Sequence, residues 1–242
     1  MLEGVRALVT GGTSGLGRAM AAAFVAAGAR VVVTSRDPLR AAAAARGLAM
    51  DVRDADAVDE GVAEIYREVG GLDLLVANAG IGMRTVNPRF LTDPQPFFSV
   101  TPPGFRDVID TRAVGTFLTV RAVVPRMLAA GGGRVVVISM NAATISQRGF
   151  VPYGPAGAAV DALAQVMAAD LAGTTVRLNI LAPGGATATG MIPEDASDEV
   201  RAHLLDSAIM GSPIVWLASR AASDVHGQRI DATQFAREHP DL

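Results

Sequence analysis

Short apolar runs recur along the chain and alternate with longer stretches of helical spacing. The runs near 5–10, 30–35, 48–51, 72–77, 133–139 and 175–181 predict strands, with a further one near 225–231. Helical patterns fall between them, near 15–28, 37–46, 54–69, 104–129, 153–172 and 198–207. Alternation at this spacing predicts an α/β fold: a doubly wound parallel sheet of the Rossmann type with right-handed crossovers. Ligands then sit at the carboxyl ends of the strands. No repeat or linker divides residues 1–242, so a single domain is expected. The segment from Ile81 to Gly104 carries Pro88, Pro94, Pro96, Pro102 and Pro103, which exclude a regular helix or central strand there. Phe90, Phe97 and Phe98 in that loop either line an apolar pocket or pin the loop to the core.

The first strand runs into Thr10-Gly11-Gly12-Thr13-Ser14-Gly15-Leu16-Gly17, and a helix follows. A strand that turns through glycines into a helix aims backbone N–H groups and the positive end of the helix dipole at one point, which suits a phosphate. Gly11, Thr13, Ser14, Gly15, Leu16 and Gly17 are therefore candidate pyrophosphate contacts. A second strand about twenty residues on, Arg30–Thr34, strengthens the dinucleotide reading.

Composition narrows the function classes. Half of the chain is hydrophobic and it holds 26 glycines, as expected where buried strands alternate with Ala-rich helices. A net charge of −3 disfavours nucleic acid and anionic membrane surfaces as partners. Without cysteine there is no disulfide, thiolate nucleophile or Cys-ligated metal. No run reaches membrane-spanning length and no signal-peptide pattern is present, so a cytoplasmic location is expected. His203, His226 and His239 are scattered, the last in what reads as a tail, so no metal site is expected. The acidic run Asp51, Asp54, Asp56, Asp59 and Glu60 fits the first turns of a helix. No Gly-x-Ser-x-Gly elbow is present, which removes the case for a serine hydrolase. All 21 basic residues are arginine, so chemistry that needs a lysine must find another cation.

With Asn78-Ala79-Gly80 after the fourth strand, Tyr153 after the fifth and Pro183-Gly184 after the sixth, the chain resembles the short-chain dehydrogenase/reductases over nearly its full length. The resemblance implies a nicotinamide-dinucleotide-binding fold, commonly a homotetramer or homodimer, acting on a small carbonyl or alcohol. By that analogy Gly11, Gly15 and Gly17 shape the pyrophosphate turn, and Asp51 and Val52 hold the adenine. Asn78, Ala79 and Gly80 flank the inner ribose. Pro183, Gly184, Thr187 and Thr189 border the nicotinamide and open a substrate lid over about 184–207.

The end of the second strand bears on the choice of nucleotide. Selection of NAD usually places a carboxylate there, but Thr34-Ser35-Arg36-Asp37 puts Ser35 at that position with Arg36 next. A guanidinium fork and a hydroxyl suit a 2′-phosphate, so NADP is expected, with NAD as the alternative. The competing reading makes Arg36 a solvated residue ahead of a helix cap at Asp37.

At the catalytic positions the pattern breaks. The family uses a tyrosine as proton donor, helped by a lysine four residues on, one helical turn away. Here Tyr153 is followed at that spacing by Gly157. The family's asparagine, three residues before Gly115, is Arg112. Ser139 would polarise the carbonyl, but the commonest spacing to the tyrosine falls on Met140; an extra loop residue near Gln147-Arg148-Gly149 would restore Ser139. Otherwise Ser139 is a strand-end hydroxyl bonding its own backbone. Arg112 could reach into the volume freed at Gly157 and supply the positive charge that Tyr153 needs. The other account is drift in a chain that no longer catalyses, because an arginine fork poorly replaces a point ammonium. The leading expectation is a weak NADP-dependent oxidoreductase using Tyr153, Ser139 and Arg112. A nucleotide-binding pseudoenzyme, serving as a sensor or structural subunit, is the alternative. A third reading keeps Tyr153 for isomerisation or elimination without hydride transfer.

Overall fold

The computed structural model describes residues 1–241. Seven strands form one parallel sheet in the order β3-β2-β1-β4-β5-β6-β7. They are β1 (Arg6–Val9), β2 (Arg30–Ser35), β3 (Gly47–Ala49), β4 (Leu74–Ala77), β5 (Gly133–Ile138), β6 (Val176–Ala182) and β7 (Arg229–Asp231). This is the doubly wound α/β arrangement that the strand–helix alternation predicts, and every expected strand is present. The order reverses between β1 and β4, so the chain departs in opposite directions from adjacent strands. A crevice opens above their carboxyl ends for that reason.

Helices cover both faces. The first is α1 (Gly15–Ala26), followed by α2 (Pro38–Ala42), α3 (Ala55–Val69) and α4 (Pro102–Ile109). A π-helical turn, Asp110–Val114, joins α4 to α5 (Gly115–Ala129). Then come α6 (Ala142–Ile145), α7 (Tyr153–Asp170), α8 (Asp198–Ala202), α9 (Gly211–Ala218) and α10 (Ala232–Glu238). One core lies under α3, α5 and α7, where Val62, Ile65, Val123, Met127 and Val160 meet Leu8, Leu75 and Val135. The other lies under α1, α9 and α10, where Met20, Phe24, Ile214 and Leu217 meet Val9, Val76 and Leu181. Alternate residues of one strand thus feed opposite layers, which is why the strands read as unbroken apolar runs.

Several expectations need correction. The helix expected over 104–129 begins at Pro102, with proline in its first turn where no N–H is needed, and its middle is the π turn. The patterns near 37–46 and 198–207 yield only the short α2 and α8. Helices α9 and α10 were not expected; at eight and seven residues both are too short to show a clear period. The supposed tail at His239 is packed: its ring stacks on Phe235 at 4.2 Å and lies 6.0 Å from Trp216.

The loop after β4 resolves the question about its phenylalanines. Phe90 is buried with Met83 and Phe150 and meets the Phe150 ring edge-on at 5.3 Å. It both pins the loop and lines the cleft. Phe97 and Phe98 pack on each other and are exposed, so they do neither.

Candidate functional site

A cleft of about 1000 Å³ lies over the carboxyl ends of the strands. One end is made almost entirely of main chain. Gly11 (φ +63°) and Gly15 (φ +50°) adopt left-handed backbone that an L side chain resists. A Cβ at Gly17 would lie 2.4 Å from the Gly11 carbonyl, so α1 can approach the turn only with glycine there. Ser14 precedes α1 without capping it, which leaves the first-turn N–H groups of this helix without a side-chain acceptor. Thr10 holds the turn: its Oγ1 accepts from the backbone N–H groups of Asn78 and Ala79, both at 3.0 Å. Asn78 returns the tie, donating from Nδ2 to the Thr10 carbonyl at 2.8 Å and the Gly11 carbonyl at 3.3 Å. Sequence reasoning quoted Thr10 but missed this role. Its position at the end of a buried strand was the available signal.

Thr13, Ser14, Gly15, Leu16 and Gly17 line the cleft beside Gly11, and so do Ser35, Arg36, Asp51, Val52, Asn78, Ala79, Gly80, Pro183 and Thr187. Gly184 does not. It is a turn residue (φ +88°) pressed against β7 and α10, where a Cβ would meet Asp231 Oδ1 at 2.2 Å. Asp37 caps α2, its Oδ1 accepting from Leu39 N–H at 2.9 Å, so the helix-cap part of the competing reading holds. Arg36 is exposed on the cleft rim and is free of ion pairs among the described residues. Asp51 is gripped by Arg53 through Nε (3.0 Å) and Nη2 (2.6 Å), which holds its carboxyl below the usual range, with Arg36 adding a smaller through-space effect. The rest of the acidic run is structural. Asp54 caps α3, and Asp59 pairs with Arg121 at 2.6 Å.

The other end of the cleft is built from side chains. Tyr153 begins α7 and rests on the Met83, Phe90 and Phe150 cluster. Its hydroxyl points to Met191 Sδ at 3.8 Å. The π turn carries Arg112 inward until the guanidinium carbon lies 4.7 Å from the Tyr153 ring centroid. Such turns concentrate at functional sites because the extra residue re-aims a side chain. Ser139 is 4% exposed and its Oγ has no hydrogen-bond partner, so the reading in which it bonds its own backbone is overturned.

Arg112 does not enter the volume at Gly157. Met140 fills that space: a Cβ at Gly157 would lie 2.4 Å from Met140 Cε and 2.6 Å from its Sδ. Arg112 instead crosses Gly80, where a Cβ would meet its Nη1 at 2.8 Å. Arginine thus lies over one face of the tyrosine ring, and methionine fills the space beside Gly157.

The segment after β6 folds over this end. Ala188 N–H donates to the Leu205 carbonyl at 2.9 Å, and Leu205 N–H donates to the Ala186 carbonyl at 2.8 Å. Arg84 ties it to the opposite loop through Glu194 and the Gly190 carbonyl, and Thr92 donates to Asp195 at 2.8 Å. His226 is structural, bonded to Leu178 N–H and the Ala168 carbonyl.

Residues 6–200 match the family model described as short chain dehydrogenase. The chain is 32% identical to gluconate 5-dehydrogenase of Gluconobacter oxydans, over 94% of this chain and 92% of that protein. It is 29% identical to a 3-oxoacyl-(acyl-carrier-protein) reductase of Vibrio harveyi, over 95% and 96% of the two chains. A crystal structure of the 3-ketoacyl-(acyl-carrier-protein) reductase from Brucella melitensis, complexed with NADH, superposes with a TM-score of 0.84. The two are 26% identical over 96% of this chain and 97% of that one.

Proposed function

The chain belongs to the short-chain dehydrogenase family, and on that footing we propose that it is an NADP-preferring oxidoreductase of low turnover acting on a carbonyl or alcohol. The observation that carries the proposal is the glycine cradle at Gly11, Gly15 and Gly17, beside an uncapped α1 and a rim carrying Ser35 and Arg36. A diphosphate fits where side chains are forbidden and N–H groups are free. Asp51 and Val52 would border the adenine, and Asn78, Ala79 and Gly80 the inner ribose. Pro183 and Thr187 would border the nicotinamide. Arg36 would pair with a 2′-phosphate. When bound, the nicotinamide supplies or accepts the hydride.

The protein's own share is proton handling and orientation. Tyr153 would donate or accept the proton at the substrate oxygen. Ser139 Oγ, buried and unpartnered, would donate to the same oxygen. The Arg112 guanidinium over the ring face would hold Tyr153 in place through a cation–π contact. Low turnover is proposed because that contact replaces a direct ammonium, while Met140 fills the ammonium's place. The segment over about 184–207 would act as the lid. Exposed Phe105, Val114 and Phe117 along α4–α5 support a homo-oligomer, and a cytoplasmic setting goes with the proposal.

Fluorescence titration with NADPH, followed by absorbance decay with a panel of ketones, tests the reading. Binding with slow consumption is expected, and Arg36→Ala should weaken NADPH binding about tenfold while leaving NADH nearly unchanged. Tight binding with no consumption across the panel would replace the oxidoreductase with the nucleotide-binding pseudoenzyme. Absence of binding would defeat both.

A further inference from the structure

Arg112 carries a permanent charge, is 7% exposed, and makes neither a hydrogen bond nor an ion pair with any described residue. A guanidinium placed so deep ordinarily has an anionic or carbonyl partner, because desolvating a charge without one is costly. The Tyr153 ring covers one face only. Nε is buried and unpartnered, and the N–H edges are left with no protein acceptor. The protein offers no carboxylate for them. The acidic residues lining the cleft are Asp37 and Asp51; the first caps α2 and the second is held by Arg53. Arg84, the other arginine near this end, is already spent on Glu194 and the Gly190 carbonyl. Arg112 lies against Gly80 and the Tyr153 ring, and the same cleft holds the orphaned hydroxyl of Ser139.

We propose that Arg112 is the receptor for a substrate carboxylate, so that the preferred substrates are short oxo acids and the corresponding hydroxy acids. The inference rests on the oxidoreductase reading above and specifies its substrate class. A planar fork matches a carboxylate through two parallel hydrogen bonds, a match that neutral ketones lack. The guanidinium carbon sits 4.7 Å from the centroid of the ring whose hydroxyl serves the reacting oxygen. A carboxylate held by that guanidinium and a carbonyl held by that hydroxyl would share one end of the cleft, which suits a short molecule carrying both. Glycine at position 80 belongs to the same device, since any larger residue there would push the guanidinium aside. The face-on contact with Tyr153 and the edge-on contact with the acid use different parts of one side chain and can coexist.

The test compares 2-oxohexanoate, its methyl ester and hexan-2-one as substrates with NADPH, for the native protein and for Arg112→Gln. The native protein should favour the acid over the ester in kcat/KM on the order of 10- to 100-fold, and the substitution should erase that ratio. Arg112→Lys keeps the charge without the fork and should retain part of the preference, with a melting curve to show that each variant is folded. No acid preference in the native protein, or a preference that survives Arg112→Gln, would overturn the proposal. Equal losses on acid and ester, with their ratio kept, would leave Arg112 serving Tyr153 alone and would also overturn it. If NADPH binds but none of the three is consumed, the oxidoreductase reading fails separately. Calorimetry of 2-oxohexanoate binding to the NADPH-loaded protein then decides: heat that Arg112→Gln abolishes supports the carboxylate receptor, and no heat sinks it.

Discussion

The two ends of the cleft are built on different principles. At the phosphate end, backbone does the binding, and what matters is where side chains are absent: Gly11, Gly15 and Gly17 leave the amides bare. At the tyrosine end, side chains from three elements converge, and each occupies space that another could have taken. Arg112 comes from the π turn, Met140 from the loop just after β5 and Tyr153 from the start of α7. A site made of backbone tolerates no substitution and so keeps its pattern. A site made of side chains can be rebuilt by exchanging volumes, as Met140 occupies the space that Gly157 leaves.

Three measurements probe that contrast. The largest effect is expected from Tyr153→Phe, which should lower turnover on the order of 10²- to 10⁴-fold while NADPH binding, seated at the other end, is retained. Loss of both together would mean that the ends are not independent. Next is Gly157→Lys. Alone it should bring no gain and a lower melting temperature, because Met140 Cε and Sδ lie within 2.6 Å of the new Cβ position. Combined with Met140→Ala it should raise turnover on the order of tenfold, since only the pair reopens the volume. A gain from the single change would show that Met140 yields easily.

The smallest effect concerns the sheet itself, far from either end. Arg6 grips Asp73 through Nε and Nη2, both at 2.8 Å, joining the starts of β1 and β4. That pair holds the Asp73 carboxyl below its ordinary range, mainly through the hydrogen bonds from Arg6. With the pKa depressed on folding, the stabilisation is present above the unfolded value near ~3.9 and disappears as pH falls through the folded one. Asp73→Asn should cost about 1 kcal/mol at pH 7, for a pair partly open to water. The gap between the two melting curves should close below about pH 4. A gap that persists in acid would assign the effect to packing.

The same contrast explains how far the sequence could be read. Strands buried on both faces are long apolar runs, and a glycine turn between a strand and a helix is local in the chain, so the sheet and the phosphate end were legible. Asp37 as a helix cap was readable for the same reason, and so was the acidic start of α3, although Asp54 turned out to cap that helix. The destination of Arg112 was not. That Gly157 left a volume was evident, but which neighbour entered it depended on Met140, which is adjacent only in space. Gly184 lies off the cleft lining between Pro183 and Gly185, which a proline–glycine pair does not reveal, since it signals a turn without saying which face of it meets the cleft. Phe150 went unnoticed, since one aromatic in a short loop has no period to betray its burial.

The single extra residue wound into Asp110–Val114 has a consequence for transplanting this chemistry. Each helical residue advances the spiral by about 100°, so deleting one from that turn would restore a regular helix and swing the guanidinium away from the phenol. Writing arginine into the same slot of an uninterrupted helix would therefore fail to copy the arrangement, because the phase of the coil, and not the residue type alone, decides what the arginine faces.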